Sequence, residues 1–455
     1  MKRSPDLSIL LYMVILLTFG CIMIYSSSSP TCAVSEENNY QEAYFLYRQL
    51  VAIAIGAAAF VGCYRLDLKW LQKYDFVCYI LALILVMIVL VPGIGIVING
   101  SRRWIGAGLL RFQPAEIAKV LCIVFSAAFL ARRGGKIKNT WPSLRDLFSK
   151  KKGERLKAVM APFPTIVIAI GLVAFLIERE PDLGTAASIM FVLLFMLLSS
   201  GARKRHIFAV AIIGVVLVGA KIAPGLMNGA NSEDNYRAAR LVAFMDPWAD
   251  SQGNGYQNCQ SLIAVGSGGL LGLGLGESRQ KYFYLPEKHT DFIFAIIGEE
   301  LGLAGTLAVT VLFILILYRG FKIAAESSDL FMRILAVGCT TMIYLQAMLN
   351  ILVVIGMIPV TGIPLPFISY GGSSVLSSMM LMGLLYNVSQ YCSRYGRALE
   401  WENDSGDQPR GDSGNAAPAD SLPDGEEDEA EPGDEDCDED RDEDRDEAEE
   451  DEKGK

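Results

Sequence analysis

Histidine is almost missing: two residues in a chain of 455 leave a zinc site very few ligands. The nine cysteines form no CxxC pair and have no histidine companions, so a metal cluster or ribbon is not indicated and most are expected to pack as small apolar groups. Cys32 and Cys259 fall in loops expected on one side and could meet. The glycine-rich stretch GSGGLLGLGLGESRQK lacks a following Lys-Ser/Thr and a preceding strand, which excludes a nucleotide-binding loop. Apolar residues are scarce in only one region, the tail DGEEDEAEPGDEDCDEDRDEDRDEAEEDE. Such a segment cannot bury enough surface to fold alone and is expected to be solvated and disordered.

What is abundant is hydrophobic length. The composition is 52% hydrophobic with mean hydropathy +0.34, and runs of about 17 to 25 apolar residues recur, the length that crosses a hydrocarbon core as helix. They centre near Val14, Ala54, Leu83, Val124, Ala169, Leu193, Val215, Ile314, Leu345 and Met380. The expected fold is therefore all-α, a polytopic membrane protein of about ten transmembrane helices with a large extracytoplasmic loop between helices 7 and 8. The basic, small-residue start resembles a signal peptide, but Leu7 to Tyr25 is too long for one and reads as an uncleaved first helix.

Charge gives the orientation. The last 55 residues hold 26 Asp/Glu against 5 Lys/Arg, so the first 400 keep 35 basic and 24 acidic groups despite a formal net charge of -10. Lys2/Arg3, Arg65/Lys69/Lys73, Arg203 to Arg205, Arg319/Lys322 and Arg394/Arg397 share one side if the spans alternate, and the loop ARRGGKIKNTWPSLRDLFSKKKGERLK joins them. Positive charge marks that side as cytoplasmic and puts both termini inside. Ser28 to Tyr44, Pro92 to Pro114, the EREPDLG turn, Pro224 to Asp291 and PVTGIPLPFIS then face outward, where ATP is not at hand. Domain organisation follows: residues 1–400 as the membrane domain and 401–455 as an acidic cytoplasmic tail.

Four outward stretches carry chemistry. In NGSRRWIGAGLLRFQPAEIAK, Arg102, Arg103 and Arg111 lie outside against the positive-inside bias. They either anchor to headgroups or clamp a phosphate or pyrophosphate by bidentate hydrogen bonds. Trp104 stands where an interfacial aromatic would. Glu116 and Lys119 share a helix face one turn into the membrane, as a structural pair or as the lining of a wet, anion-accepting cavity. DPWADSQGNGYQNCQSLIAV and YFY suit a segment lying on the bilayer or on the bundle. PVTGIPLPFISYGGSS breaks the chain with three prolines and restarts a helix after Gly371 and Gly372, either as a tight turn or as a cavity wall.

In LPEKHTDFIFAIIGEELG, Asp291 stands where a polar loop becomes a long apolar run. It could cap the eighth helix, with Thr290 as a rival cap, or serve as general base for a sugar hydroxyl. Desolvation would raise its pKa and neighbouring cations would lower it. Glu299 and Glu300 lie deeper and read as structural partners.

Taken together, NGSRRWI, QPAEIAK, EPDLGTA, DPW, GYQ, QSLIAVGSGG, GLGESRQKYFYLPEKHTDFIFAIIGEELG and TGIPLPFISYGGSS resemble the SEDS family (FtsW/RodA/SpoVE) of bacterial cell-wall polymerases. The likeness runs in order from about Leu7 to Arg397, with SRQKYFYLPE and DPW more like the division branch, FtsW, than the elongation branch. The resemblance implies a peptidoglycan glycosyltransferase that joins lipid II into β-1,4-linked glycan strands, with inversion and an undecaprenyl-diphosphate leaving group. By motif, Asp291 would be the essential carboxylate, and Glu116, Lys119 and Arg111 would line the cavity. Arg102, Arg103 and Trp104 complete the expected substrate-binding set. No cofactor is fixed, and a divalent cation such as Mg is the one candidate helper. The implied partners are lipid II, a class B penicillin-binding transpeptidase and other divisome proteins in the cell membrane, with no nucleic acid. The acidic tail matches nothing in the family pattern. Rival readings are a lipid II flippase, a scaffold without chemistry, and the elongation polymerase. Transport would need a polar path into the inner halves of the helices, which read as apolar.

Overall fold

A backbone in hydrocarbon must satisfy its own hydrogen bonds, and the ten apolar runs do so as ten helices. The computed structural model describes residues 6–34, 40–98, 101–106, 111–137, 161–227 and 236–406. In chain order the elements are α1 (Leu7–Ala33), α2 (Tyr44–Arg65), α3 (Leu68–Lys73), α4 (Asp75–Leu90), β1 (Ile96–Ile98), β2 (Ser101–Trp104), α5 (Pro114–Ile137), α6 (Pro162–Arg179) and α7 (Leu183–Ser199). They continue with α8 (Lys204–Met227), α9 (Tyr236–Met245), α10 (Tyr256–Ser267), α11 (Ile293–Glu326), α12 (Leu330–Val354) and α13 (Gly372–Gly406). Each predicted run centre falls inside one of α1, α2, α4 to α8 and α11 to α13. By length and composition α1, α2, α5, α6, α11 and α12 can cross a membrane, and α4 and α7 are shorter apolar helices. Beyond Gly406 the acidic tail lies outside the described residues.

Local chemistry sets several boundaries. Asp6, Asp182 and Asp329 accept backbone N–H bonds from Ser8, Thr185 and Met332 and so start α1, α7 and α12. α1 runs on to Ala33, past the expected outward boundary at Ser28. Ser27 and Ser28 donate their hydroxyls to the Ile24 carbonyl, which lets a serine-rich stretch stay helical. The expected loop of Pro92 to Pro114 contains an antiparallel hairpin, β1 with β2. Cys32 and Cys259 are both free thiols, so no disulfide joins them, and Cys259 Sγ instead donates to the Pro247 carbonyl.

Contacts at the helix ends sort the bundle into two poles. At one pole Arg319, late in α11, pairs with Asp6 before α1 (3.5 Å), and Asp6 N donates to Ser389 on α13. Arg132, late in α5, pairs there with Asp75 at the start of α4. At the other pole lie the starts of α2, α5, α7, α11 and α13 and the ends of α6 and α12. Several helix N-termini thus present positive partial charge to one region.

α11 is broken at Gly302 (φ 64°, ψ -158°), a conformation that only glycine adopts without cost. The break frees backbone groups, and the loop after α10 takes them up. Leu273 N and Gly274 N donate to the carbonyls of Glu299 and Glu300, while Leu303 N and Ala304 N donate to those of Gly269 and Leu270. A side chain on Gly272 (φ 82°) would collide with the Glu300 carbonyl. The glycines that superficially resemble a phosphate loop are thus needed for this close backbone contact.

Candidate active site

The loop before α11 is held by its carbonyls. His289 O accepts from Tyr370 N (2.9 Å), Thr290 O from Ser369 Oγ (2.6 Å) and Asp291 O from Asn350 Nδ2 (2.7 Å). Asn350 Nδ2 also donates to Ile363 O, and Ser369 Oγ accepts from Leu365 N. The PVTGIPLPFIS segment is therefore a clamp, and its irregular backbone is satisfied against protein. The His289 ring is wedged between Phe45 (centroids 4.4 Å) and Tyr370. Gln49 on α2 ties the clamp down by donating to Ser369 O and accepting from Gly371 N.

Main-chain anchoring leaves the Asp291 carboxyl for other work. α11 starts at Ile293 with Phe292 as its cap residue and no side-chain cap bond, so neither Asp291 nor Thr290 caps it. Thr290 donates instead to Glu287. The Asp291 carboxyl accepts no hydrogen bond among the described residues, and Gly362 passes close to its Oδ2. Its pKa is raised to about 7, mainly by burial and next by Glu287, with Arg240 and Arg103 opposing the rise and Asp182 adding to it. Desolvation outweighs the cations.

Those neighbours come from three distant stretches. Arg240, on α9, donates Nη1 to the Val360 carbonyl (2.8 Å). Arg103, on β2, donates Nε to the Glu180 carbonyl (3.0 Å) and Nη2 to that of Pro181. Asp182 accepts from Gln113 Nε2 (3.0 Å), and Gln113 N donates to Ser373 Oγ (2.8 Å) at the start of α13. The hairpin, the α6–α7 turn, α9 and the α11 loop thus meet around one carboxylate.

Of the residues singled out from sequence, Asp291 and Arg103 come together here. Glu116 and Lys119 sit one layer deeper. Lys119 is fully buried and paired with Glu116 at 2.7 Å, and Glu116 also accepts from Ser377 Oγ (2.5 Å). Arg111 is exposed and lies within electrostatic reach of Tyr370, as does Arg48. Arg102 packs its stem where Gly95 leaves room. Trp104 pairs with Ile96 across the hairpin. Glu299 and Glu300 are structural, as expected. Glu299 accepts from Ser278 Oγ, Arg279 N and Gln280 N, and Glu300 from Ser26 Oγ and Lys281 Nζ.

Sequence reading missed Arg240, Asp182 and Glu180. The acid-rich EREPDLG turn was a signal for the last two, and a lone basic pair in YRAAR a weaker one for the first. Among the described residues no three His, Cys, Asp or Glu side chains are grouped to hold a metal ion.

A family model described as cell cycle protein, for FtsW, RodA and SpoVE, matches residues 7–394. Stage V sporulation protein E of Bacillus subtilis is 40% identical over 397 residues, covering 87% of this chain and 99% of the relative. A probable peptidoglycan glycosyltransferase FtsW of Geobacter metallireducens is 35% identical over 384 residues, covering 84% and 94%. Among solved structures, a chain from a peptidoglycan synthase complex with coordinated polymerization and crosslinking superposes with TM-score 0.65 at 25% identity, covering 86% of this chain and 98% of that one. The rod shape determining protein RodA of Thermus thermophilus shares the fold, with TM-score 0.58 at 24% identity over 85% and 97%. With the match spanning every predicted membrane run, this chain belongs to the FtsW/RodA/SpoVE family of cell cycle proteins.

Proposed function

We propose that this chain is a peptidoglycan glycosyltransferase that polymerises lipid II at the outer face of the bacterial cell membrane, with Asp291 as its general base. The observation that carries the reading is a carboxyl with no hydrogen bond among the described residues, poised near neutrality beside two arginines, on a loop whose backbone is fixed at three consecutive carbonyls. A base with a pKa near the working pH is both available and strong enough to take a proton from an alcohol in the transition state.

Asp291 takes the proton of the acceptor sugar's 4-hydroxyl as that oxygen attacks C1 of the donor sugar. The bond from C1 to the diphosphate oxygen breaks, the configuration inverts and a β-1,4 link forms. Undecaprenyl diphosphate leaves with two negative charges or more, and Arg103, Arg240 and Arg111, with the helix N-termini at that pole, favour that charge. Arg102 and Trp104 on the hairpin belong to the same substrate-binding face. The Glu116–Lys119 pair underlies it, joined through Ser377 and through the bond from Gln113 to Ser373 on the same helix. No divalent cation is needed in this scheme, and Mg remains an optional addition.

We read the pole holding Asp291 as the outer one, a reading supported by Arg132, Arg319, Lys69 and Lys73 at the opposite pole, whose positive charge favours the cytoplasmic side. A transpeptidase of the penicillin-binding class is the natural partner, cross-linking strands as they emerge, with other division proteins around it. Division at the septum is the role we favour over elongation or sporulation. Transport of lipid II is disfavoured by α5. Below Lys119 the buried face of α5 is Val120, Ile123, Val124, Ala127 and Leu130, interrupted by the hydroxyl of Ser126 and by no charged group as far as Leu130.

The test is polymerisation of labelled lipid II by the purified chain, with and without Asp291→Asn. Strands from the wild type and none from the variant are expected. A folded variant that works at the normal rate would remove Asp291 from the chemistry.

A further inference from the structure

Glu180 is an acid the mechanism above does not use. It caps the end of α6 in the EREPDLG turn, its exposure is 0%, and both carboxyl oxygens are buried without a hydrogen-bond partner among the described residues. A buried carboxylate in that state would cost several kcal/mol and is rarely left so without a task. Its surroundings are those of the candidate site. Arg103 is bound to its own carbonyl, and Asp182 lies two residues on. Arg103 and Asp182 are the charged groups that act on Glu180, and both also act on Asp291. From the α11 loop Glu287, and from α9 Arg240, complete the ionisable groups around Asp291.

Resting on the glycosyltransferase reading, we infer that Glu180 is a further substrate-binding residue: its protonated carboxyl donates a hydrogen bond to a phosphoryl oxygen of the lipid diphosphate held beside Arg103. The geometry favours a phosphoryl oxygen because the nearest cation is a guanidinium already fixed by two carbonyls, leaving its remaining N–H groups for an anion. An ionised carboxylate there would repel the diphosphate, whereas a neutral acid both donates and avoids repulsion. Glu180 is suited to stay neutral: burial first, then Asp182, raise its pKa to about 9 against the partial offset of Arg103. A bound diphosphate would push it higher still. Two carboxyls with pKa values set apart, Asp291 near 7 and Glu180 near 9, give one ionised group and one protonated group across the working range.

The experiment measures lipid II polymerisation and, separately, binding of farnesyl diphosphate to the purified full chain from pH 6.5 to 10. It compares the wild type with Glu180→Gln, which keeps donors but cannot ionise, and Glu180→Leu, which has none. Expected is a wild-type affinity for farnesyl diphosphate that falls above about pH 9, an alkaline loss that Glu180→Gln reduces to the share set by Lys288, and a KM and Kd raised about tenfold or more in Glu180→Leu with kcat changed far less. Lys288, whose pKa burial lowers to about 8, titrates in the same region, and its contribution would persist in Glu180→Gln. An unchanged alkaline loss in Glu180→Gln overturns the assignment, as does a wild-type Kd in a folded Glu180→Leu. Glu180-dependent binding of farnesyl diphosphate by a chain that makes no glycan would uphold this site while striking the polymerase reading.

Discussion

Asp291 and the pair Glu299/Glu300 stand within ten residues of one another, and the chain treats them in opposite ways. Glu299 accepts one hydroxyl and two backbone N–H groups, and Glu300 a hydroxyl and an ammonium, so both hold the glycine loop to the break at Gly302. Asp291 has its backbone held by Asn350, and its carboxyl accepts no hydrogen bond among the described residues. A carboxylate saturated with partners is a structural fastening. One that is positioned but unsatisfied is kept for a proton or a substrate.

The sharpest way to break that contrast is to neutralise both kinds of acid. Asp291→Asn should lower the rate of strand formation by about 10²- to 10⁴-fold, as expected for loss of a general base, with folding intact by thermal melting. Glu300→Leu should do the reverse. It leaves Lys281 buried without its counter-charge, so stability falls by about 3–5 kcal/mol while the rate per folded molecule holds. If Glu300→Leu melts normally but is inactive, the structural reading of that pair is wrong.

Subtler changes sharpen the contrast. Arg240→Gln removes a cation that holds the Asp291 pKa down, so the acid limb of the rate profile should move to higher pH, with KM for lipid II also raised. The smallest effect is on stability. A folded-state pKa raised from 3.8 to about 7 means that the protonated form is favoured by folding. That stability is fully present below pH 3.8 and is lost as pH rises through 7. Asp291→Asn should therefore be more stable than the wild type at pH 8, by about 1–2 kcal/mol, and no more stable at pH 4, as read from melting temperatures.

Hydropathy alone placed the ten helices, because a run such as Leu7 to Tyr25 is too long and too apolar to be anything else in a lipid-solvated chain. Asp291 also stood out as a candidate, as cap or base, at a polar-to-apolar junction, and the structure removes the cap. What stayed hidden was long-range company. Arg240 and Asp182 reach Asp291 from positions 51 and 109 residues away, and nothing local encodes that meeting. The hairpin was missed although Asn99-Gly100 between β-branched and polar runs is a hairpin signal, because Pro92 to Pro114 was read as an outward loop for its arginines. Gly302 hides its break inside a stretch whose composition is helical on both sides.

The pH dependence of kcat/KM for lipid II polymerisation tests the central claim most directly. With Asp291 as base, the rate should fall about tenfold per pH unit below 7 and level off above it, before any alkaline loss. A profile that is flat from pH 5.5 to 7.5 would contradict it.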